Sequence, residues 1–147
     1  MGERSVEALD CARRCADIMR ENDASSKALG IEIDIPDAGA AIASMTVRAD
    51  MLNGFDICHG GLLFKLADTA FAFACNAYNH ETLSIQAEIN WRKTAHLDDR
   101  LVATATEVKR EGRHGYYSVV VRNQDDDVVA DFSGHSIALE KPVFAAL

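Results

Sequence analysis

At 147 residues, 48% hydrophobic and 26% charged, the chain has the size and balance of one soluble globular domain with a real core, taken as residues 1–147. Its net charge of −8 and the absence of a basic tract argue against partners such as nucleic acid or an anionic membrane. The N-terminus carries no signal-peptide core, and the longest strictly apolar run, 70–75, is too short to span a bilayer, so a cytoplasmic location is expected.

Residues 6–21 predict an amphipathic helix: Ala8, Cys11, Ala12, Cys15, Ile18 and Met19 form one stripe, with Glu7, Asp10, Arg14, Asp17 and Glu21 opposite. Residues 24–29 add a turn before Gly30 stops it, and this helical segment, 1–29, is a candidate lid. Strict alternation over 31–35, the turn signal 36–39 and the run 40–47 predict a hairpin. From 60 to 78 the chain reads as a helix that is apolar on nearly every face, interrupted only by Lys65, Asp68, Thr69 and Asn76. Such a helix is buried.

The remainder is β-rich, at 83–91, 101–111, 116–123 and 128–139, with breaks at 93–99, 112–115 and 124–127. Connections of hairpin length predict an antiparallel meander of four strands. The fold class is therefore α+β: an antiparallel sheet wrapped around one long buried helix, with an amphipathic helix in front. Cys11, Cys15, Cys58 and Cys75 match no zinc-ligand spacing, so free thiols and no metal are expected.

The chemistry is expected where the loop 48–58 meets the buried helix. Gly60-Gly61 opens that helix, where unpaired N–H groups and the aligned peptide dipoles would polarise a carbonyl. Asp68, on the same helix, needs a reason, because an unpaired buried carboxylate is costly. Eight residues at 1.5 Å each put it about 12 Å from Gly60, beyond the reach of a base acting on a carbonyl held there. If both serve one reaction, the acid comes from a second copy of the chain, which predicts an obligate dimer with two composite sites. Plainer readings stand beside this one. Asp68 could pair with Lys65 at i−3, the His59 ring could bond backbone at the helix start, and the glycines could serve only close packing. Cys58 beside His59 could be a thiol nucleophile.

The stretch Asn53-Gly54-x4-His59-Gly60-Gly61-x6-Asp68-Thr69 resembles the hot-dog-fold acyl-CoA thioesterases, most of all the branch that includes the phenylacetate-degradation thioesterase, PaaI. Asn22-Asp23-Ala24, Lys27-Ala28-Leu29-Gly30-Ile31, Met51-Leu52 and Leu66-Ala67 extend the likeness over nearly the whole chain. The resemblance implies a hot-dog fold, a dimer with its sheets joined edge to edge, and usually a tetramer of two such dimers. It implies hydrolysis of a thioester between coenzyme A and an aromatic or medium-sized acyl group, hydroxylated phenylacetyl-CoA among them. Coenzyme A is then part of the substrate, and no cofactor is needed. By carry-over the Gly60 N–H polarises the carbonyl, Asp68 is general base or nucleophile, Asn53 and His59 shape the carbonyl and water site, and Thr69 positions the water.

Where the branch often carries Asp-Phe-Leu-Arg-Pro after its third strand, this chain has Asn90-Trp91-Arg92-Lys93-Thr94, with an arginine but no proline. Arg92, Lys93, Arg110 and Arg113 are candidates for the CoA phosphates or else a solvated charge run. Arg113 lies in the Gly112-Arg113-His114-Gly115 turn, where the family often touches that moiety. His80, His96, His114 and His135 are scattered and read as structural or exposed. Two rival functions remain. A hot-dog hydratase or dehydratase needs an Asp-x4-His or proline-rich setting, whereas Asp56 and His59 are three apart and the prolines are Pro36 and Pro142 alone. A non-catalytic acyl-CoA sensor needs an output domain, and no DNA-binding segment is present.

Overall fold

The computed structural model describes residues 2–145. Helices α1 (Glu3–Asn22) and α2 (Ala24–Ala28) precede strands β1 (Glu32–Asp37) and β2 (Ala40–Thr46). Helix α3 (Gly60–Cys75) follows, then β3 (Thr82–Trp91), β4 (Arg100–Glu111), β5 (His114–Arg122) and β6 (Val128–Ala138). All six strands form one antiparallel sheet in the order β1-β2-β4-β5-β6-β3. No helix among the described residues is long and apolar enough to cross a membrane.

The four-strand meander expected from the sequence holds only for β4, β5 and β6. β3 pairs with β6 at the far edge, and β4 returns to pair with β2. The cause lies in the connection 92–99, which is too long to force a hairpin. Its Ala95 is fully buried, and the Ala95 carbonyl accepts from the Cys58 N–H at 2.8 Å. Asp98 N–H donates to the Val47 carbonyl, and Val47 N–H to the Asp99 carbonyl, each at 2.9 Å. The segment thus passes beside the start of α3 and delivers the chain to β2.

α3 stops at Cys75, short of the expected 78, because the Asn76 side chain takes over the backbone. Its Nδ2 donates to the carbonyls of Ala72 (2.9 Å) and Thr82 (3.0 Å), and its Oδ1 accepts from Thr82 N–H at 2.8 Å. That turns the chain directly into β3. The sheet curls around α3, which touches all six strands. Leu66, Ala67, Ala70, Phe71 and Ala74 are fully buried. Removing a side chain of the size of Leu66 or Phe71 from water contributes about 1.5–3 kcal/mol. Phe71 meets Tyr117 edge-on, with ring centroids 5.4 Å apart.

The two sheet edges differ. α1 lies along β1, burying Ala12, Cys15 and Ala16. From it Arg13 Nε donates to the Ile35 carbonyl (3.3 Å) and Arg20 Nη2 to the Ile33 carbonyl (3.0 Å). Those arginines occupy main-chain acceptors that an open edge would offer to another strand. At the other edge β3 leaves Leu83 and Ile85 54% and 52% exposed, with Ile85 in a bulge between Ser84 and Gln86.

Candidate active site

The loop before α3 is built by its own side chains. Asn53 N–H donates to the Ile57 carbonyl at 2.8 Å, and its Oδ1 accepts from Phe55 N–H (2.9 Å) and Ile57 N–H (3.4 Å). Asn53 is thereby held through its oxygen. Its Nδ2 donates to no partner among the described residues.

His59 caps the helix. Its Nδ1 accepts from Gly61 N–H at 2.9 Å, and its carbonyl accepts from Leu62 N–H (2.9 Å) and Leu63 N–H (3.4 Å). The ring proton therefore sits on Nε2, which becomes a donor. This is the capping reading of His59, and it has a chemical consequence. Of the first three amides of α3, those of Gly61 and Leu62 are occupied, and only the Gly60 N–H finds no acceptor among the described residues. That free donor sits at the positive end of a 16-residue helix. It opens on a cleft of about 280 Å³, lined by Asn53, Gly60, Trp91, Arg92 and Lys93 among others.

Asp68 does not line this cleft. It is half-buried, and burial pushes its carboxyl above the ordinary aspartate range, with Lys65 pulling the other way. Neither a hydrogen bond nor an ion pair engages the carboxylate among the described residues, so the Asp68–Lys65 pairing is not formed. Lys65 Nζ instead donates to Ser25 Oγ of α2 at 2.6 Å. Thr69 Oγ1 donates to the Lys65 carbonyl at 2.7 Å, which leaves it able only to accept from a water. Burial pushes the Cys58 thiol up, with Asp99 adding to the effect. That disfavours the thiolate a cysteine nucleophile needs.

The model of the thioesterase superfamily matches residues 55–130. The acyl-coenzyme A thioesterase PaaI of Escherichia coli is 46% identical over 122 residues, covering 82% of this chain and 86% of its own length. The chain belongs to the thioesterase superfamily. A putative esterase of Archaeoglobus fulgidus is 35% identical, over 80% of this chain and 76% of its own. The solved structure of E. coli PaaI, from the phenylacetic acid degradation operon, superposes with a TM-score of 0.89 at 41% identity, covering 91% of this chain and 97% of that one. A mutant of the phenylacetic acid degradation protein PaaI from Thermus thermophilus gives 0.74 at 32% identity, covering 78% and 97%. The hot-dog fold expected from the sequence is the one observed, and this family member is a thioester hydrolase.

Within this thioesterase the four basic residues are not equivalent. Arg92 is paired with Asp131 at 2.5 Å and Lys93 with Asp127 at 2.6 Å. Arg110 is paired with Glu107 at 3.2 Å and lies over the Tyr78 ring, 3.5 Å from its centroid. Arg113 makes no ion pair or side-chain hydrogen bond among the described residues. With Arg110 it lines a second cavity of about 320 Å³, near Cys75, Tyr117 and Ser136. The β4–β5 turn is tighter than the expected 112–115, with only Gly112 (φ +58°) and Arg113 between the strands. One site residue had no expected role: Trp91, whose indole Nε1 donates to the Gly60 carbonyl at 3.1 Å.

Proposed function

We propose that this thioesterase hydrolyses aromatic or medium-sized acyl-CoA thioesters at a site shared by two copies of the chain. One observation carries the reading: the helix start offers a free Gly60 N–H, while the unpartnered carboxylate of Asp68 stands two turns away, outside the cleft into which that N–H opens. Gly60 N–H and Asn53 Nδ2 bind the thioester carbonyl oxygen, where a single donor lost can cost roughly 3 kcal/mol. Asp68 of the second copy takes a proton from water or attacks the carbonyl directly. Thr69 accepts from that water, and His59 Nε2–H is assigned as a donor at the carbonyl and water site. Thiolate leaves readily, so these groups suffice without a metal or cofactor beyond the coenzyme A of the substrate.

The open β3 edge supports a dimer joined sheet to sheet, and two dimers then form the tetramer. Among the basic residues Arg113 is the best donor for a CoA phosphate, since Arg92, Lys93 and Arg110 are already neutralised by carboxylates. Residues 1–29 act as the lid through α2, which reaches α3 by the Ser25–Lys65 bond one turn before Asp68. Four free thiols fit a reducing compartment, the cytoplasm.

The test is thiol release over a panel of acyl-CoAs. Wild-type protein is expected to turn over aromatic and medium-chain substrates, and Asp68→Ala to lose at least about a hundredfold in kcat while its sedimentation is unchanged. Full turnover by Asp68→Ala refutes the assigned role. Binding of acyl-CoA without thiol release by the wild type refutes the enzyme reading.

A further inference from the structure

The peptide unit between Gly60 and Gly61 is held at both ends. Its N–H donates to His59 Nδ1 at 2.9 Å, and its carbonyl accepts from Trp91 Nε1 at 3.1 Å. The preceding peptide, which carries the free Gly60 N–H, is held through the His59 carbonyl by the amides of Leu62 and Leu63. Gly60 is thus the joint between two immobilised planes. The indole also presses on it from the side: a Cβ at Gly60 would stand 3.1 Å from Trp91 Nε1 and 3.3 Å from Cε2. That approach is closer than an ordinary van der Waals contact, so any larger residue at 60 displaces the indole by a few tenths of an ångström.

The end of β3 is braced to deliver that indole. Trp91 pairs with Ala130, and the two N–H groups that follow it, of Arg92 and Lys93, both donate to the Val129 carbonyl. Asn90 and Arg92, on either side, both bind Asp131. Yet Trp91 is 55% exposed in the single chain and forms part of the cleft wall. A large aromatic held so firmly and left so open is not explained by core packing alone, since the cleft it walls joins the polar groups of Asn53, Gly60, Arg92 and Lys93 to the apolar Ile57, Cys58 and Leu63.

We propose that Trp91 is a positioning residue for the oxyanion donor, and that its exposed face is a wall against which the bound thioester lies. It fixes the Gly60 carbonyl through its N–H, and through that the direction of the Gly60 N–H. A misplacement of about 1 Å at such a donor can cost on the order of a hundredfold in rate. This rests on the reading of Gly60 as the carbonyl-binding amide.

The two parts separate by substitution. Trp91→Phe keeps an aromatic wall and removes the donor; it is expected to lower kcat by about tenfold with KM within about twofold. Trp91→Leu removes both, and KM is expected to rise as well. Trp91 is the sequence's one tryptophan, so its fluorescence reports on the cleft. Saturating an Asp68→Ala background with acyl-CoA is expected to quench or shift its emission. A purely structural tryptophan would lower thermal stability without splitting kcat from KM. Unchanged kcat in Trp91→Phe, or emission indifferent to acyl-CoA, overturns the proposal. Absence of thioester hydrolysis in the wild type is a separate result and refutes the functional reading instead.

Discussion

Asp68 combines two demands that conflict. Burial raises its carboxyl above the ordinary range, so the folded chain holds that proton more tightly than the unfolded chain does. The stability it contributes is complete below the unfolded value and is lost as pH rises through the folded one. At neutral pH the ionised side chain therefore weakens the fold. Asp68→Asn keeps the shape without the charge. It is expected to raise Tm by a few degrees at neutral pH, with the gain vanishing in acid, while abolishing turnover, as active-site residues often trade stability for activity. Calorimetry across pH checks the first part. The wild-type kcat/KM profile checks the second: its acid limb should have its midpoint above the ordinary carboxylate range, because in the proposed role, base or nucleophile, Asp68 works ionised.

At the scale of elements, α3 comes closest to β6 at Gly134, where no side chain intervenes. A Cβ at Gly134 would lie 2.7, 2.8 and 2.9 Å from three ring carbons of Phe71, which is fully buried against Tyr117 and Phe132. The ring cannot retreat, so Gly134→Ala is expected to cost about 1–3 kcal/mol by overpacking. Urea unfolding should show a lower midpoint at unchanged slope. α3 itself was legible in the sequence, because a run without a polar face has only one place to go. The strands were legible too: β1 alternates Glu32, Ile33, Asp34 and Ile35, and its isoleucines are the residues turned inward. Their order was not, because alternation assigns a residue to a face and says nothing of its neighbour. β3 could therefore be read as a strand but not placed at the edge. The same limit applies to the site. Asn53, His59 and Gly60 are close in sequence and could be grouped by motif. Trp91 meets Gly60 across 31 residues, and Arg92 meets Asp131 across 39, contacts that only the closed sheet creates.

For the whole molecule, the proposed shared site needs two chains, because Asp68 does not line the cleft that Gly60 lines. One sheet edge is sealed by the arginines of α1, and the other, β3, exposes Leu83 and Ile85 on the same strand that ends in Trp91 at the cleft. In the proposed dimer, a two-fold axis across β3 would run the two copies of α3 in opposite directions and bring the start of one towards the middle of the other. Mixing makes this testable. Chains with Asp68→Ala keep a working amide, and chains with Gly60→Pro keep a working carboxylate. Proline suits the first helical position and removes the N–H there, and the Trp91 indole, 3.1 Å from a Cβ at 60, has to give by a few tenths of an ångström. Each parent is expected to be inactive. After exchange about half the dimers are mixed, and each mixed dimer has one intact site of two, so recovery should approach about one quarter of wild-type turnover. A site contained within one chain recovers nothing. Native mass spectrometry showing mixed dimers that remain inactive would therefore reject the shared site, while recovery near the quarter level fixes which subunit supplies each group.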